Sequence, residues 1–342
     1  MLRYLKNIIS VLILSAILVE CKNLYSFELD SMQTQLELYH TAEKDRLRSA
    51  LEEGIKKAQK SILILTFSFS DSNFIDLINQ KADEGIDVTV IIDKNHQNTL
   101  KNLGNNKIKI LTRLMGEGRI HHKILVIDDE FIWLGSANFS QAAFSTQENF
   151  VVGIQSTKFA NILHDEAKVF KGIRQRNSTS TPIETINDQS IFLYMLPHFN
   201  PLIISHEKKI NGRGKKELLS IIENAQSHIQ IAMMVWTDPE LQNAVINAHN
   251  RGITVKVLLH DLQDPVAKNL IDAGIVVMTN PKLNFMHNKW MWVDDQILVN
   301  GSANWSRSSF SRNDESFLVI KNLNPTQHIY LTEYWNYLIT KQ

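Results

Sequence analysis

Cysteine occurs once in the 342 residues, at Cys21, so no disulfide can form within the chain. Neither charge sign is in excess: 36 Lys and Arg stand against 36 Asp and Glu. A chain without net charge has no global positive field to draw it onto nucleic acid or an acidic membrane, although a local basic patch is still allowed. The N-terminal apolar run, Ile8 to Val19, falls short of the roughly 20 residues that a membrane-spanning helix needs. What is there is ordinary globular composition, 44% hydrophobic and 21% charged, in a length with room for two lobes.

The apolar run follows Arg3 and Lys6 and precedes Glu20 and Cys21, the order of a signal peptide over residues 1–21. The alternative is a buried or interfacial N-terminal helix. Cys21 sits where a bacterial lipoprotein carries its lipidated cysteine, while Glu20 departs from the small residue expected before it. Export to the periplasm, the cell envelope or the medium is therefore the expectation, and lipidation of Cys21 stays open.

The chain contains itself twice. Ala58 to Asp71 matches Ala225 to Asp238, and Glu84-Gly85-Ile86 matches Arg251-Gly252-Ile253, both at an offset of 167 residues. HHKILVIDDEFIWLGSANFS from His121 matches HNKWMWVDDQILVNGSANWS from His287 at an offset of 166. Repeats of this length mark homologous structural units. Each copy alternates apolar strand-like runs with amphipathic stretches, which predicts an α/β fold of two lobes. The expected division is a first lobe over residues 32–174, a linker over 175–188 rich in Ser, Thr and Pro, and a second lobe over 189–342.

Each copy carries HxKxxxxD, then GSAN, then a glutamate: His121, Lys123, Asp128, Gly135, Ser136, Asn138 and Glu148; His287, Lys289, Asp294, Gly301, Ser302, Asn304 and Glu315. Side chains alternate across a strand, so each His shares a face with its Lys, and the aspartate seven residues on faces away. Asp128 and Asp294 are therefore read as turn-fixing. An ammonium beside the imidazole makes a poor metal site, because it offers no lone pair and repels a cation. It makes a good anion site. Two lysines and two asparagines supply donors to the oxygens of a phosphate, and the Gly-Ser pairs allow close backbone approach. One histidine can attack phosphorus while the other protonates the leaving oxygen and then activates water. Glu148 and Glu315 are suited to fixing each imidazole in one tautomer. Trp133, Trp290, Trp292 and Trp305 read as core or lobe-interface residues, and His96 and His260 as loop histidines outside the site.

At these residues the sequence resembles the phospholipase D superfamily, the HKD family, along both lobes. The resemblance implies α-β-α sandwich lobes related by a pseudo-twofold axis, with the active site at their interface. It also implies no metal or other cofactor and a covalent phosphohistidine, with His121 the nucleophile and His287 the general acid. The wording of the second motif is close to the branch of bacterial endonucleases and mitochondrial cardiolipin hydrolase, which carry one motif per chain; here one monomer suffices for a complete site. Cardiolipin synthases of the superfamily normally have two N-terminal membrane helices, which ranks synthesis below hydrolysis. The first expectation is a phospholipase D that releases head group from glycerophospholipids to give phosphatidic acid, with peripheral membrane contact. Apolar Leu283, Phe285 and Met286 beside His287 favour it. The second is an endonuclease on DNA or RNA, favoured by a basic stretch of Lys94, Lys101, Lys107, Lys109, Arg113 and Arg119 set against Glu117. The third is a non-catalytic phosphate- or lipid-binding module.

Overall fold

The computed structural model describes residues 36–43, 45–96, 103–113, 118–170, 183–196, 212–263 and 265–340. The expected leader, with Cys21, lies outside them, and so do residues 175–182 of the expected linker.

The first lobe runs β1 (Leu36–His40), α1 (Arg46–Lys57), β2 (Ser61–Thr66), α2 (Ser72–Asp83), β3 (Asp87–Ile92) and β4 (Lys109–Leu111). It continues with β5 (Lys123–Ile127), β6 (Phe131–Gly135), α3 (Gln141–Ser145), β7 (Gln147–Glu148), β8 (Phe150–Gln155) and α4 (Thr157–Phe170). The second runs β9 (Ile183–Ile186), β10 (Gln189–Leu196), α5 (Arg213–Glu223), β11 (His228–Met233), α6 (Pro239–Asn250), β12 (Thr254–Leu259) and α7 (Pro265–Asp272). After these come β13 (Val276–Met278), β14 (Phe285–Met286), β15 (Lys289–Val293), β16 (Ile297–Gly301), α8 (Arg307–Ser311), β17 (Glu315–Lys321) and α9 (Pro325–Thr340). Among the described residues no helix is long and apolar enough to cross a membrane.

The repeat in sequence is a repeat in topology. One sheet is ordered β1-β8-β6-β5-β2-β3-β4, and the other reads β9-β10-β17-β16-β15-β11-β12-β13. Strand for strand they coincide, except that β9 adds an edge to the second. This is where the structure departs from the expected linker: Ile183–Ile186 forms a hairpin with β10 through Asn187 and Asp188, both at positive φ. A short Asn-Asp turn with left-handed φ joins antiparallel strands without splaying them. In each sheet three strands run parallel on one side and antiparallel strands fill the other. This gives the mixed α/β lobes that the alternation of strand and helix predicts.

Local sequence explains the matched elements. Asp71 and Asp238, the ends of the first repeated segment, cap α2 and α6 by accepting from the second and third backbone N–H groups of each helix, which satisfies orphan donors. Each is also buried against a cation, Arg48 at 2.7 Å and Lys215 at 2.7 Å. Gly85 and Gly252 follow those helices at φ of 92° and 93°, a conformation that other residues adopt at a cost.

One apolar cluster lies between the lobes. It draws Leu63, Leu65 and Ile124 from the first sheet, Trp290, Trp292 and Leu318 from the second, and the buried faces of α4 and α9. Helix α9, the last of the described elements, reaches across to the first lobe, where Tyr334 stacks on His40 of β1 with ring centroids 4.1 Å apart. A second cluster lies on the other side of the second sheet, under α5, α6 and α7, and contains Trp305. Trp133 lies over Gly54, where a Cβ would come within 2.7 Å of the indole. All four tryptophans singled out in the sequence are buried.

Candidate active site

The GSAN glycines set the approach of strands at the site. A Cβ on Gly135 would fall 2.2 Å from the carbonyl oxygen of Phe150, and one on Gly301 would fall 2.3 Å from that of Ser316. This closeness lets the next residue, Ser136 or Ser302, donate its backbone N–H to the same carbonyls, at 3.0 and 2.8 Å. The serine hydroxyl is then aimed one residue upstream. Ser302 Oγ donates to Glu315 Oε2 at 2.6 Å, and Ser136 Oγ donates to Asn149 Oδ1 at 2.9 Å.

Those two residues hold the histidines, each across the lobe boundary. His121 Nδ1 lies 2.7 Å from Glu315 Oε2 of the second lobe. His287 Nδ1 lies 2.8 Å from Asn149 Oδ1 of the first. The crossing is built by backbone: His121 N donates to Asp314 O at 2.8 Å, and His287 N donates to Glu148 O at 2.9 Å. The short parallel pair β7–β14 and the bridge Ile120 to Asp314 complete it.

Two expectations are corrected here. Neither carboxylate serves the histidine of its own motif; Glu315 serves His121. And Glu148 is not the counterpart of Glu315. Its carboxylate accepts from Tyr337 of α9 at 2.8 Å, while Asn149 takes the place on the histidine. The signal was present in the sequence, since the motif repeats at an offset of 166 from His121 to Asn138, and that offset maps Glu315 onto Asn149. Matching by residue type chose the neighbour instead.

Asn149 orientation is unambiguous, because its Nδ2 donates to Ala143 O at 2.9 Å while Ser136 donates to its Oδ1. The carbonyl end must therefore accept from His287, placing that proton on Nδ1 and leaving Nε2 with a lone pair. Glu315 does the same for His121. Lys123 Nζ donates to His121 O at 2.7 Å, and Lys289 Nζ donates to His287 O at 2.5 Å. Asn138 and Asn304 follow the two GSA turns, and their Oδ1 atoms are buried without a hydrogen bond from the described residues. Asp128 and Asp294 lie elsewhere. Each sits at positive φ in its Asp-Asp turn and accepts three consecutive backbone N–H groups, from Gln59, Lys60 and Ser61 and from Gln226, Ser227 and His228.

The electrostatics follow from burying together four groups that can each carry a positive charge. Burial, opposed by Glu315, brings Lys123 down to about 7. Burial and the charge of Lys123 push Lys289 well below the usual ammonium range. Burial lowers His121, with Lys123 and Lys289 adding to the effect and Glu315 opposing it. Burial, the two lysines and His121 press His287 well below its ordinary value. Burial alone would raise Glu315, but His121, Lys123 and Ser302 outweigh it and hold the carboxyl below its usual range. Such a site gains strongly from a bound anion, which restores the lysine charges.

The surroundings alter two expectations about substrate. Leu283 and Met286 belong to the core between the lobes, so of the three apolar residues near His287 only Phe285 rims the site. In the basic stretch, Lys107 pairs with Asp83, Lys109 with Asp87 and Arg113 with Asp314, while Lys101 lies outside the described residues. Lys94 and Arg119 are exposed and have no ion pair among the described residues. His96 packs on Phe67 at 4.4 Å, and Phe67 lies 5.3 Å from His121; His260 packs on Phe285 at 4.3 Å. Both loop histidines thus border the site, one aromatic ring removed.

Comparison with known proteins places this geometry. The chain is 24% identical to the minor cardiolipin synthase ClsB of Bacillus subtilis over 91% of its own length and 83% of the relative's. It is 30% identical to the mitochondrial cardiolipin hydrolase of Mus musculus over 35% of this chain, spanning 55% of that relative. The fold is that of phosphatidylserine synthase from Haemophilus influenzae, with a TM-score of 0.68 at 14% identity, over 90% of this chain and 86% of the other. The family model described as "Cardiolipin synthase, PLD-like domain" matches twice, over residues 51–170 and 218–335, once in each lobe. The chain therefore belongs to the phospholipase D-like family and is an enzyme of phosphodiester bonds.

Proposed function

We propose that this enzyme is a metal-independent phospholipase D acting from outside the cytoplasm, with phosphatidic acid as its product when water is the acceptor. The observation that carries the mechanism is the crossed support of the two histidines by unlike partners. His121 Nε2 attacks phosphorus, forming an N–P bond as the bond to the head-group oxygen breaks. The imidazole becomes cationic at that moment, and Glu315 at 2.7 Å stabilises the charge. His287, which takes up a second proton at Nε2 when the bound phosphodiester offsets the lysine charges, gives that proton to the departing oxygen. With only an amide behind it and two lysines nearby, protonated His287 is a strong acid, suited to an alkoxide leaving group. In the second half, neutral His287 takes a proton from water, the resulting oxygen attacks phosphorus, and the N–P bond breaks to release His121. Lys123, Lys289, Asn138 and Asn304 stabilise the charge on the non-bridging oxygens.

Water has no exclusive claim on the second half, because an alcohol can intercept the same phosphohistidine. A relative matched along 91% of the chain is a cardiolipin synthase, which supports transfer to an alcohol as a second outcome of the same site. A lipid substrate is supported by Phe285 at the rim and by neutralisation of much of the basic stretch that a nucleic acid would need. The test is head-group release from mixed phospholipid vesicles in EDTA, beside cleavage of single-stranded DNA and RNA. Phosphatidic acid formation that disappears in His121→Ala is the expected result; nucleic-acid cleavage without lipid turnover would overturn the reading.

A further inference from the structure

The two lobes present unlike groups at equivalent positions on the rim. The bridges Ile120 to Asp314 and Met286 to Glu148 superpose Ile120 on Met286, so Arg119 and Phe285 occupy the same place in their lobes. Arg119 is exposed, and its guanidinium lies 5.7 Å from the ring of Phe67, which in turn packs against His121. On the other side Phe285 packs 5.9 Å from His287 and against His260. One approach to the histidines thus carries a guanidinium with no acidic partner among the described residues, with exposed Lys94 just beyond the end of β3. The other carries a phenyl ring. Arg119 is also fixed at its backbone, where its N–H donates to Asn313 Oδ1 at 3.2 Å and its carbonyl accepts from Asp314 N at 2.8 Å. A positive group anchored this way on an aromatic ring is preorganised, so little ordering cost attends binding of an anion.

We infer that Arg119 is a specificity-determining residue that binds a second anionic group of the substrate, one short spacer away from the phosphodiester being cleaved. The preferred substrate is then a phosphodiester lipid carrying a further phosphate, over one carrying a single phosphate. The lipid part rests on the function proposed above; the subsite requires only phosphodiester chemistry. A guanidinium matches phosphate oxygens with two parallel donors, whereas an ammonium acts as a point charge.

The experiment uses the full chain turning over bis(p-nitrophenyl) phosphate, with propyl phosphate and propane-1,3-diyl bisphosphate as competing inhibitors. Wild type is expected to bind the bisphosphate at least about tenfold more tightly, the size of one charge-assisted contact. Arg119→Ala brings that ratio close to one, and Arg119→Lys keeps part of it. A ratio that is the same in wild type and Arg119→Ala, or no preference in wild type, overturns the subsite. Cardiolipin and phosphatidylglycerol in vesicles form the second arm. A bisphosphate preference without turnover of either lipid leaves the subsite standing and removes the lipid reading. Turnover of both lipids at a ratio insensitive to Arg119 does the reverse.

Discussion

The two lobes share strand order, turns, helix caps and motif, yet differ in what stands behind each histidine. Behind His121 is a buried carboxylate, and behind His287 a buried amide fixed by Ser136 and Ala143. On the mechanism proposed above, the symmetric scaffold brings two imidazoles to one phosphorus, where one ring bonds to phosphorus while the other moves protons. On that mechanism the difference at one matched position, Glu315 against Asn149, divides those tasks.

The largest expected effect comes from removing either ring. His121→Ala and His287→Ala should each lower kcat on a lipid by about 10³-fold or more, because groups acting as a unit are strongly non-additive. The two variants should then part company on an aryl phosphodiester whose leaving group needs no acid. His287→Ala accumulates a phosphoenzyme detectable by intact-protein mass spectrometry, and His121→Ala forms none. A phosphoenzyme in His121→Ala would reverse the assignment.

Exchanging the supports sharpens the same comparison. Glu315→Gln should cost roughly 10²-fold or more in kcat/KM, as loss of an orienting carboxylate does in a triad. Asn149→Asp should raise the pKa of His287 and move the pH limits that it governs upward by about one unit or more. Unmoved limits would show that Asn149 does not set the basicity of His287.

The lysine pair predicts a pH dependence of binding. Lys123 must carry a proton to attract an anion, and in the free enzyme it loses that proton at about 7. Values of kcat/KM should therefore fall as pH rises through about 7, while the limit seen in kcat lies higher because a bound phosphate returns the proton. In Lys123→Arg, whose guanidinium stays charged, the part of the fall centred at about 7 should vanish even though activity is reduced, leaving the limits set by His287 and Lys289. The smallest effect is structural: Asp128→Ala should lower stability by about 1–3 kcal/mol through loss of charge-assisted bonds to three backbone donors, measured by urea denaturation. The matched Asp294→Ala should cost a similar amount. The Asp294 carboxyl is buried in part, yet hydrogen bonds from Gln226, His228 and Ser227 hold it below its usual range, so its contribution is complete above that range and is lost as pH falls through its lowered folded value.

How much of this could be read in advance depended on whether a feature is local or crosses the chain. The Asp-Asp turns and the side that His121 shares with Lys123 are dictated by residues within a few positions, and the repeat gave each of them twice. The two-lobed α/β architecture followed from that duplication. The exchange of supports between lobes did not, because it depends on where residue 314 meets residue 120, a pairing that periodicity does not encode. Reading Glu148 as the partner of a histidine failed for a related reason, since a carboxylate one position away looks equivalent until Ser136 shows which residue it touches. Ile183–Ile186 was read as linker because Ser, Thr and Pro precede it, whereas the pairing surface of β10 makes it a strand.

The reciprocal loan of supports has a consequence for how activity arises during folding. A lobe that has folded alone owns a histidine but not the group that gives it a usable tautomer, so neither half can start chemistry on a stray phosphodiester. Competence is switched on by docking of the halves. Reactivity thereby becomes a report on completed tertiary structure, a form of quality control written into the connectivity of the chain.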